Sequence, residues 1–279
     1  MVSDYLYLMH KEALRRGLSH KTIKTYTQCI KQFMRFCKKD LRKVTKKDVR
    51  KYLDKIVETK KAGNTINVHL NALKFILEQV LGKRVTLRFR YSKTPKRMPV
   101  FLTQYEVSKL FSVIKNEKHL LILELLYSAG LRVSEVVNLR KEDFEFSRNI
   151  GWVRKGKGSK DRPFIIANVI KKRLEKYIFE NCVYESSFVF KGRKGRRLHI
   201  RSVQEITKKY SRKADIKKNV HPHTLRHSFA THLIENGYDV VAVQPLLGHN
   251  SAETTNVYIH MASPSLISVK SPYDNLKKE

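Results

Sequence analysis

The sequence predicts a mainly α-helical protein with a small β-hairpin or sheet in its second half, arranged as a two-domain clamp: an N-terminal helical bundle and an α+β domain. Three observations carry that reading. Apolar residues through the first third recur at spacings of three and four, the period of an amphipathic helix. One segment breaks this pattern, where β-type residues at Ile150–Arg154 and Arg162–Ile166 flank a glycine-rich basic turn. Between the halves, Arg90–Pro99 holds two prolines and four cations without periodicity, which marks an extended basic linker. With roughly 100–200 residues per domain, the 279 residues divide into a helical domain at 1–92, a linker at 93–100 and a second domain at 101–279.

The elements follow in order. Tyr5–Arg16 is a short helix closed by Gly17. Ser19 caps a second helix, with Ile23, Tyr26, Ile30, Phe33 and Cys37 along one face. Thr45 opens a third over Val49, Tyr52, Leu53 and Ile56. Asn64 opens a fourth through Ile66, Leu70, Leu73, Leu77 and Val80, and Gly82 stops it. In the second domain, Thr103 with Glu106 three residues on is a capping box. Leu120–Ser128 is a strongly apolar helix ending at Ala129-Gly130. After the hairpin, Asn168 caps a helix to about Glu180, Phe188–Phe190 is a short strand, and Ser202–Lys213 is helical. Pro222 takes a first helical position and Gly237 ends that helix. Asp239–Leu247, with Pro245 early in it, and Glu253–His260 are two more short helices.

Composition narrows the function classes. There are 58 Lys and Arg against 25 Asp and Glu, a net charge of +33. A compact body with that charge needs a polyanion, and nucleic acid is the first candidate. Hydrophobic residues at 41% exclude wholesale disorder. No apolar run approaches the ~18–20 residues that span a bilayer, and Met1–His10 lacks the cations of a signal peptide, so a cytoplasmic protein is expected. Cys29, Cys37 and Cys182 lack Cys-x-x-Cys spacing, which excludes a disulfide scaffold or thiolate zinc site. Residues 1–95 carry 24 Lys and Arg against 7 acids, about twice the charge density of the remainder. Asn219–Val269 reverses the trend: Arg226 is its one cation, yet it holds six of the eleven histidines. A protein that merely coats nucleic acid has no use for such a gap, whereas an active site does.

Four short strings carry candidate chemistry: G-L-R-V-S-E at Gly130–Glu135, G-K-G-S-K-D-R at Gly156–Arg162, H-P-H-T-L-R-H at His221–His227, and L-L-G-H-N-S-A-E-T-T-N-V-Y at Leu246–Tyr258. His223 and Arg226, three apart on a helix, project from one face. A guanidinium there can fork onto a phosphate, and an imidazole beside it can exchange a proton near neutral pH. Tyr258 becomes a nucleophile if cations surround it and a base takes its proton. Arg132, Lys157, His223, Arg226, His249 and Tyr258 together neutralise a phosphate with cations and include no carboxylate cluster of the kind that holds Mg²⁺, so no cofactor or metal is expected. His223 and His227 at i and i+4 suggest zinc only weakly, because the Glu of H-E-x-x-H is absent. His221, His227, His232 and His260 read as capping or packing residues.

In this order and spacing the strings resemble the tyrosine recombinase (phage integrase) family, and the simple Xer-type site-specific recombinases in particular. The resemblance is strongest from Leu102 to Tyr258, while the helical domain is similar to the family's core-DNA-binding domain. It implies that Arg132 and Arg226 clamp the scissile phosphate, Lys157 protonates the leaving 5′-oxygen, His223 assists proton transfer at the tyrosine, His249 hydrogen-bonds the phosphate, and Tyr258 attacks to form a 3′-phosphotyrosine. Glu135 and Asp161 would play support roles only. The resemblance further implies double-stranded DNA with a short core site as partner, a homotetramer on two duplexes from a free monomer, and no need for ATP or metal. The resemblance implies that the tail Met261–Glu279 packs into a neighbouring subunit, and a frayed terminus is the alternative reading of so short a segment. Without an added arm-binding domain, the expected role is resolution of chromosome or plasmid dimers. An integrase of a mobile element and a type IB topoisomerase-like relaxing activity are the alternatives.

Overall fold

The computed structural model describes residues 2–59, 62–86, 89–93, 98–154, 161–184 and 187–248. The chain forms two compact units that divide between Arg97 and Met98. The first contains α1 (Val2–Arg15), α2 (His20–Cys37), α3 (Lys46–Glu58) and α4 (Gly63–Lys74). Ser19 caps α2 by accepting from the Thr22 amide. Thr45 and Asp48 form a reciprocal capping box on α3. Gly17, at φ +66°, takes the left-handed turn after α1. The fourth helix departs from expectation. It begins at Gly63, one residue before Asn64, with no side chain on its first amides, and beyond Lys74 it widens into a π turn, Phe75–Val80. The apolar faces meet in a core of Met9, Ile30, Phe33, Leu41, Val49, Leu70, Leu73, Ile76 and Leu77. Each such side chain contributes about 1.5–3 kcal/mol by leaving water. Lys24, Lys31 and Arg35 of α2 and Lys47, Arg50 and Lys51 of α3 lie on the exposed faces.

The second unit contains α5 (Gln104–Ser112), α6 (Glu117–Ser128), α7 (Val133–Val136), β1 (Phe144–Glu145), β2 (Ile150–Val153), β3 (Arg162–Ile165), α8 (Asn168–Asn181), α9 (Ile200–Lys213), α10 (Pro222–Glu235) and α11 (Val240–Leu247). The strands form an antiparallel sheet in the order β1-β2-β3, with Phe144 opposite Gly151 and Val153 opposite Arg162. The hairpin is where the sequence places it, but β1 was not anticipated, because two residues are too few to show alternation. Asn168 is the first residue of α8 and does not cap it; its Oδ1 accepts from Asn149 Nδ2 at 3.0 Å instead. Phe188 makes a single bridge to Arg140 rather than starting a strand.

Helix α6 organises this unit. Leu121, Ile122, Leu123, Leu125 and Leu126 are all buried, so more than half of the helix circumference is apolar, while Glu124 on the remaining face pairs with Arg173. It packs against α5, α7, α8, α9 and α10. Gly130 follows it at φ +58°, where a Cβ would lie 2.3 Å from Phe229 Cδ1 of α10. Only glycine permits this close approach of the turn to α10. Among the described residues, no helix is long and apolar enough to cross a membrane.

Candidate active site: arginines around the end of a helix

The turn at Gly130 delivers Arg132 to the start of α7, where it occupies the cap position. Three residues on, Glu135 reaches back. Its Oε2 accepts from the Arg132 amide at 2.8 Å and its Oε1 from Arg132 Nη1 at 2.7 Å. The i, i+3 spacing of G-L-R-V-S-E therefore builds a local ion pair whose acid is almost wholly buried, with 5% of its side chain exposed.

Helix α10 supplies the second arginine. His221 caps it, with Nδ1 accepting from the Thr224 amide at 3.2 Å while Thr224 Oγ1 accepts from the His221 amide at 3.2 Å. Pro222 takes the first turn, where its missing N–H costs nothing. Arg226 is buried, 3% exposed, with Nη1 donating to Gly130 O at 2.6 Å and Nη2 donating to Leu247 O. The same Nη1 lies 3.9 Å from Glu135 Oε2.

A third arginine was not singled out from sequence. Arg162 opens β3 and turns inward with Phe164, while Pro163 and Ile165 face outward. Its Nη2 donates to Glu135 Oε2 at 2.6 Å and its Nη1 to Leu246 O at 2.5 Å. The available signal was period-two alternation, which puts Arg162 on the same face as a core phenylalanine.

These groups converge on one structure, the C-terminal end of α11. Leu246, Leu247 and Gly248 present three successive carbonyls, taken by Arg162, Arg226 and Arg132 respectively, the last at 3.0 Å. Helix ends leave such carbonyls without intrahelical donors, and the dipole makes them an attractive seat for cations. Gly248 turns the chain at φ +58°. Pro245 falls at the sixth position of α11, deeper than expected from sequence, and withdraws one intrahelical donor shortly before this end.

The electrostatics are graded. Burial alone would raise the pKa of Glu135, but the charge of Arg162 and the hydrogen bonds from Arg132 outweigh it and hold the carboxyl below its ordinary value. Desolvation lowers His223, and the charges of His221, Arg226 and Arg132 lower it further, so its imidazole is neutral at physiological pH. His227 is pushed down to about 4, by burial first and then by His223, His221 and Arg226. The ring centroids of His221, His223 and His227 stand 6.2 and 6.5 Å apart in succession. Among the described residues, no group of three or more His, Cys, Asp or Glu could hold a metal ion. Of the six residues named from sequence, Arg132, His223 and Arg226 come together here. Lys157, His249 and Tyr258 lie outside the described residues, as do the helix expected at Glu253–His260 and the tail. His249 follows Gly248 directly in the chain.

A buried guanidinium cluster beside histidines of lowered pKa, in a domain that follows a basic helical bundle, has the chemistry to hold a phosphate. Comparison with known proteins is specific. The model of the phage integrase family matches residues 100–264, and that of the phage integrase N-terminal SAM-like domain matches residues 6–87. A tyrosine recombinase of Pseudothermotoga lettingae is 35% identical over 266 residues, 91% of each chain. Tyrosine recombinase XerA of Pyrococcus horikoshii is 37% identical, over 90% of this chain and 86% of that protein. Among solved structures, a XerA recombinase matches over the whole of both chains with a TM-score of 0.56 and 26% identity. A XerH recombinase bound to palindromic difH substrate shares the fold at a TM-score of 0.72 and 22% identity, over 93% of this chain and 82% of that one. The chain belongs to the phage integrase family and is a tyrosine-type site-specific recombinase of the Xer kind.

Proposed function

We propose that this recombinase cleaves and rejoins duplex DNA at a short specific core site through a 3′-phosphotyrosine, and that it resolves chromosome or plasmid dimers in the cytoplasm. The observation that carries the reading is the convergence of Arg132 and Arg226 on the carbonyls of Leu247 and Gly248, one residue before His249 and ten before Tyr258. Two guanidiniums at that point can take the non-bridging oxygens of one phosphate and offset the charge that grows there in the pentavalent transition state.

The step balances without a redox partner. Tyr258 Oη bonds to phosphorus, the bond from phosphorus to the 5′-oxygen breaks, and Lys157 protonates the departing oxygen. His223, neutral at physiological pH, receives the tyrosine proton, and His249 donates a hydrogen bond to the phosphate. The new ester conserves the energy of the old one, so a 5′-hydroxyl from a second duplex can reverse the attack without ATP or a metal ion. Residues 1–92 bind the core site from the bundle's basic faces, the linker 93–100 joins them to the catalytic domain 101–279, and two duplexes call for four subunits, assembled from free monomers. The match of the N-terminal SAM-like model to residues 6–87 and the XerA relatives support this division and role.

The test is covalent capture. Tyr258→Phe removes one oxygen and is expected to keep DNA affinity while forming no protein–DNA adduct on a denaturing gel. Adduct at the wild-type level from this variant would overturn the assignment.

A further inference from the structure

We infer that Arg162 is a positioning residue for the phosphate clamp: it neutralises the buried Glu135 carboxylate and seals the end of α11, so that Arg132 keeps its charge for the substrate. The inference rests on the reading of Arg132 and Arg226 as that clamp, and adds to it a residue that touches no substrate.

Three features of Arg162 support it. Its side chain is 10% exposed and its charged partner is Glu135 Oε2 at 2.6 Å, the same oxygen that takes the Arg132 amide. It sits beneath Gly248, where a Cβ would lie 2.7 Å from its Cδ and 2.8 Å from its Nε, so the backbone that leads into His249 is laid directly on this side chain. Its Nε is buried without a hydrogen-bond partner among the described residues. An arginine chosen only to saturate hydrogen bonds would not leave that donor idle. One whose guanidinium must reach both Glu135 and Leu246 O accepts the loss.

The physical consequence concerns charge. Three guanidiniums face one carboxylate, a net +2. Without Arg162, Glu135 would lose its closest cation at Oε2 and be left as a buried anion drawing on Arg132 and, at 3.9 Å, on Arg226. Breaking a buried ion pair leaves exactly such an uncompensated charge, while removing both members does not. Arg132 and Arg226 would then carry the whole neutralisation of Glu135, and the developing negative charge on the non-bridging oxygens would meet a weaker field. Arg162 also joins the start of β3, the strand that follows Lys157, to the end of α11, the helix that precedes His249. Its proposed work is nonetheless on the charge of the clamp, and substrate chemistry separates that from work on the lysine.

The experiment compares covalent adduct formation on three suicide duplexes: the ordinary scissile phosphate, a methylphosphonate at that position, and a bridging 5′-sulfur. The methylphosphonate removes the non-bridging negative charge that the clamp serves. Arg162→Met is expected to lose about 10–100-fold on the phosphodiester, to come within a few-fold of wild type on the methylphosphonate, and to gain nothing from the 5′-sulfur. Arg162→Lys keeps charge without the fork and is expected to lose less. Adding Glu135→Gln to Arg162→Met is expected to restore much of the phosphodiester rate, and this double variant also covers the case in which Arg162→Met fails to fold. Arg226→Ala is the reference, lost on phosphate and regained on methylphosphonate. If Arg226→Ala shows no such pattern, the clamp reading fails and this inference falls with it. If Arg226→Ala shows it and the Arg162 variants lose equally on all three substrates, or recover only on the 5′-sulfur, the clamp stands and the role of Arg162 is refuted.

Discussion

Gly130→Ala tests the architecture of the site with one methyl group. Two costs can be worked from the structure. Gly130 lies at φ +58°, and an L-residue there costs about 1–2 kcal/mol. The added Cβ would also lie 2.3 and 2.6 Å from two ring carbons of Phe229 and 3.3 Å from Leu247 Cδ2, an overpacking that costs about 1–3 kcal/mol. Gly237 gives an internal control. It closes α10 at φ +86° with nothing within 4 Å of its Cβ position, so Gly237→Ala carries the backbone cost alone. The difference between the two variants, about 1–3 kcal/mol, is therefore the price of crowding Phe229. Denaturant unfolding followed by fluorescence reports on the correct unit, because the single tryptophan, Trp152, lies in β2.

Activity should separate the variants further. Gly130 O anchors Arg226 Nη1 at 2.6 Å, so a shift of this turn moves the guanidinium itself. Gly130→Ala should lose at least tenfold in cleavage at temperatures where it remains folded, while Gly237→Ala should cleave at close to the wild-type rate. A displacement of about 1 Å in a positioning group costs on the order of 10²-fold. Equal destabilisation of the two variants, or full cleavage by Gly130→Ala, would show that α10 and the turn after α6 are not in close contact.

Three further outcomes are expected. The pKa of His227 is about 4 when folded against ~6.5 unfolded, so protons favour the unfolded chain; stability is complete above ~6.5 and falls toward pH 4, by up to about 2 kcal/mol between pH 7 and 5. Thermal unfolding of the wild type and His227→Gln at both pH values checks this, and an identical pH slope for the two would refute it. DNA affinity should fall with salt at a log–log slope steeper than about −7 if eight or more phosphates are contacted, while a nearly flat titration would mean that the basic faces are only solvated. Lys157→Ala should lose roughly 10²–10⁴-fold on normal DNA and recover with a 5′-sulfur leaving group, where Arg226→Ala should not; equal rescue of both would remove the lysine as proton donor.

What could be read from sequence was what lies within one turn of helix. Ser19, Thr45 and Thr103 cap their helices because a cap is a contact between residues three apart. His223 and Arg226 share that spacing and were legible for the same reason; Arg132 and Glu135 share it too, but the pairing of Glu135 with Arg132 emerges only in the structure. The start of α4 was not, since no side chain caps it and packing of Leu70 and Leu73 decides where the helix runs. Asn168 looked like a cap and instead bonds Asn149, a partner 19 residues away. The larger omission was Arg162. Its partners are 27 and 84 residues distant, so nothing local separates it from the other cations of a basic hairpin. Burial is what distinguishes it, and burial is a property of the fold.

The gap in the charge pattern at Asn219–Val269 now has a physical cause. Three arginines already stand around the end of α11, held there by one carboxylate, the three carbonyls of that helix end and the carbonyl of Gly130. A further lysine on α10 would add repulsion to a cluster whose charge is only partly offset. Histidine avoids that cost because burial and the neighbouring arginines keep it neutral, as the lowered pKa values of His223 and His227 show. A neutral imidazole can still take a proton at the moment negative charge accumulates on the phosphate, when a new cation nearby is favourable rather than repelled. On the proposed mechanism, the arginines supply the standing charge at the site, and the histidines beside them add positive charge only as the tyrosine proton moves. A carboxylate in place of Arg162 would reverse this arrangement. Its charge would add to that of Glu135 at the end of a helix already negative, and leave Arg132 and Arg226 to neutralise the protein instead of the substrate.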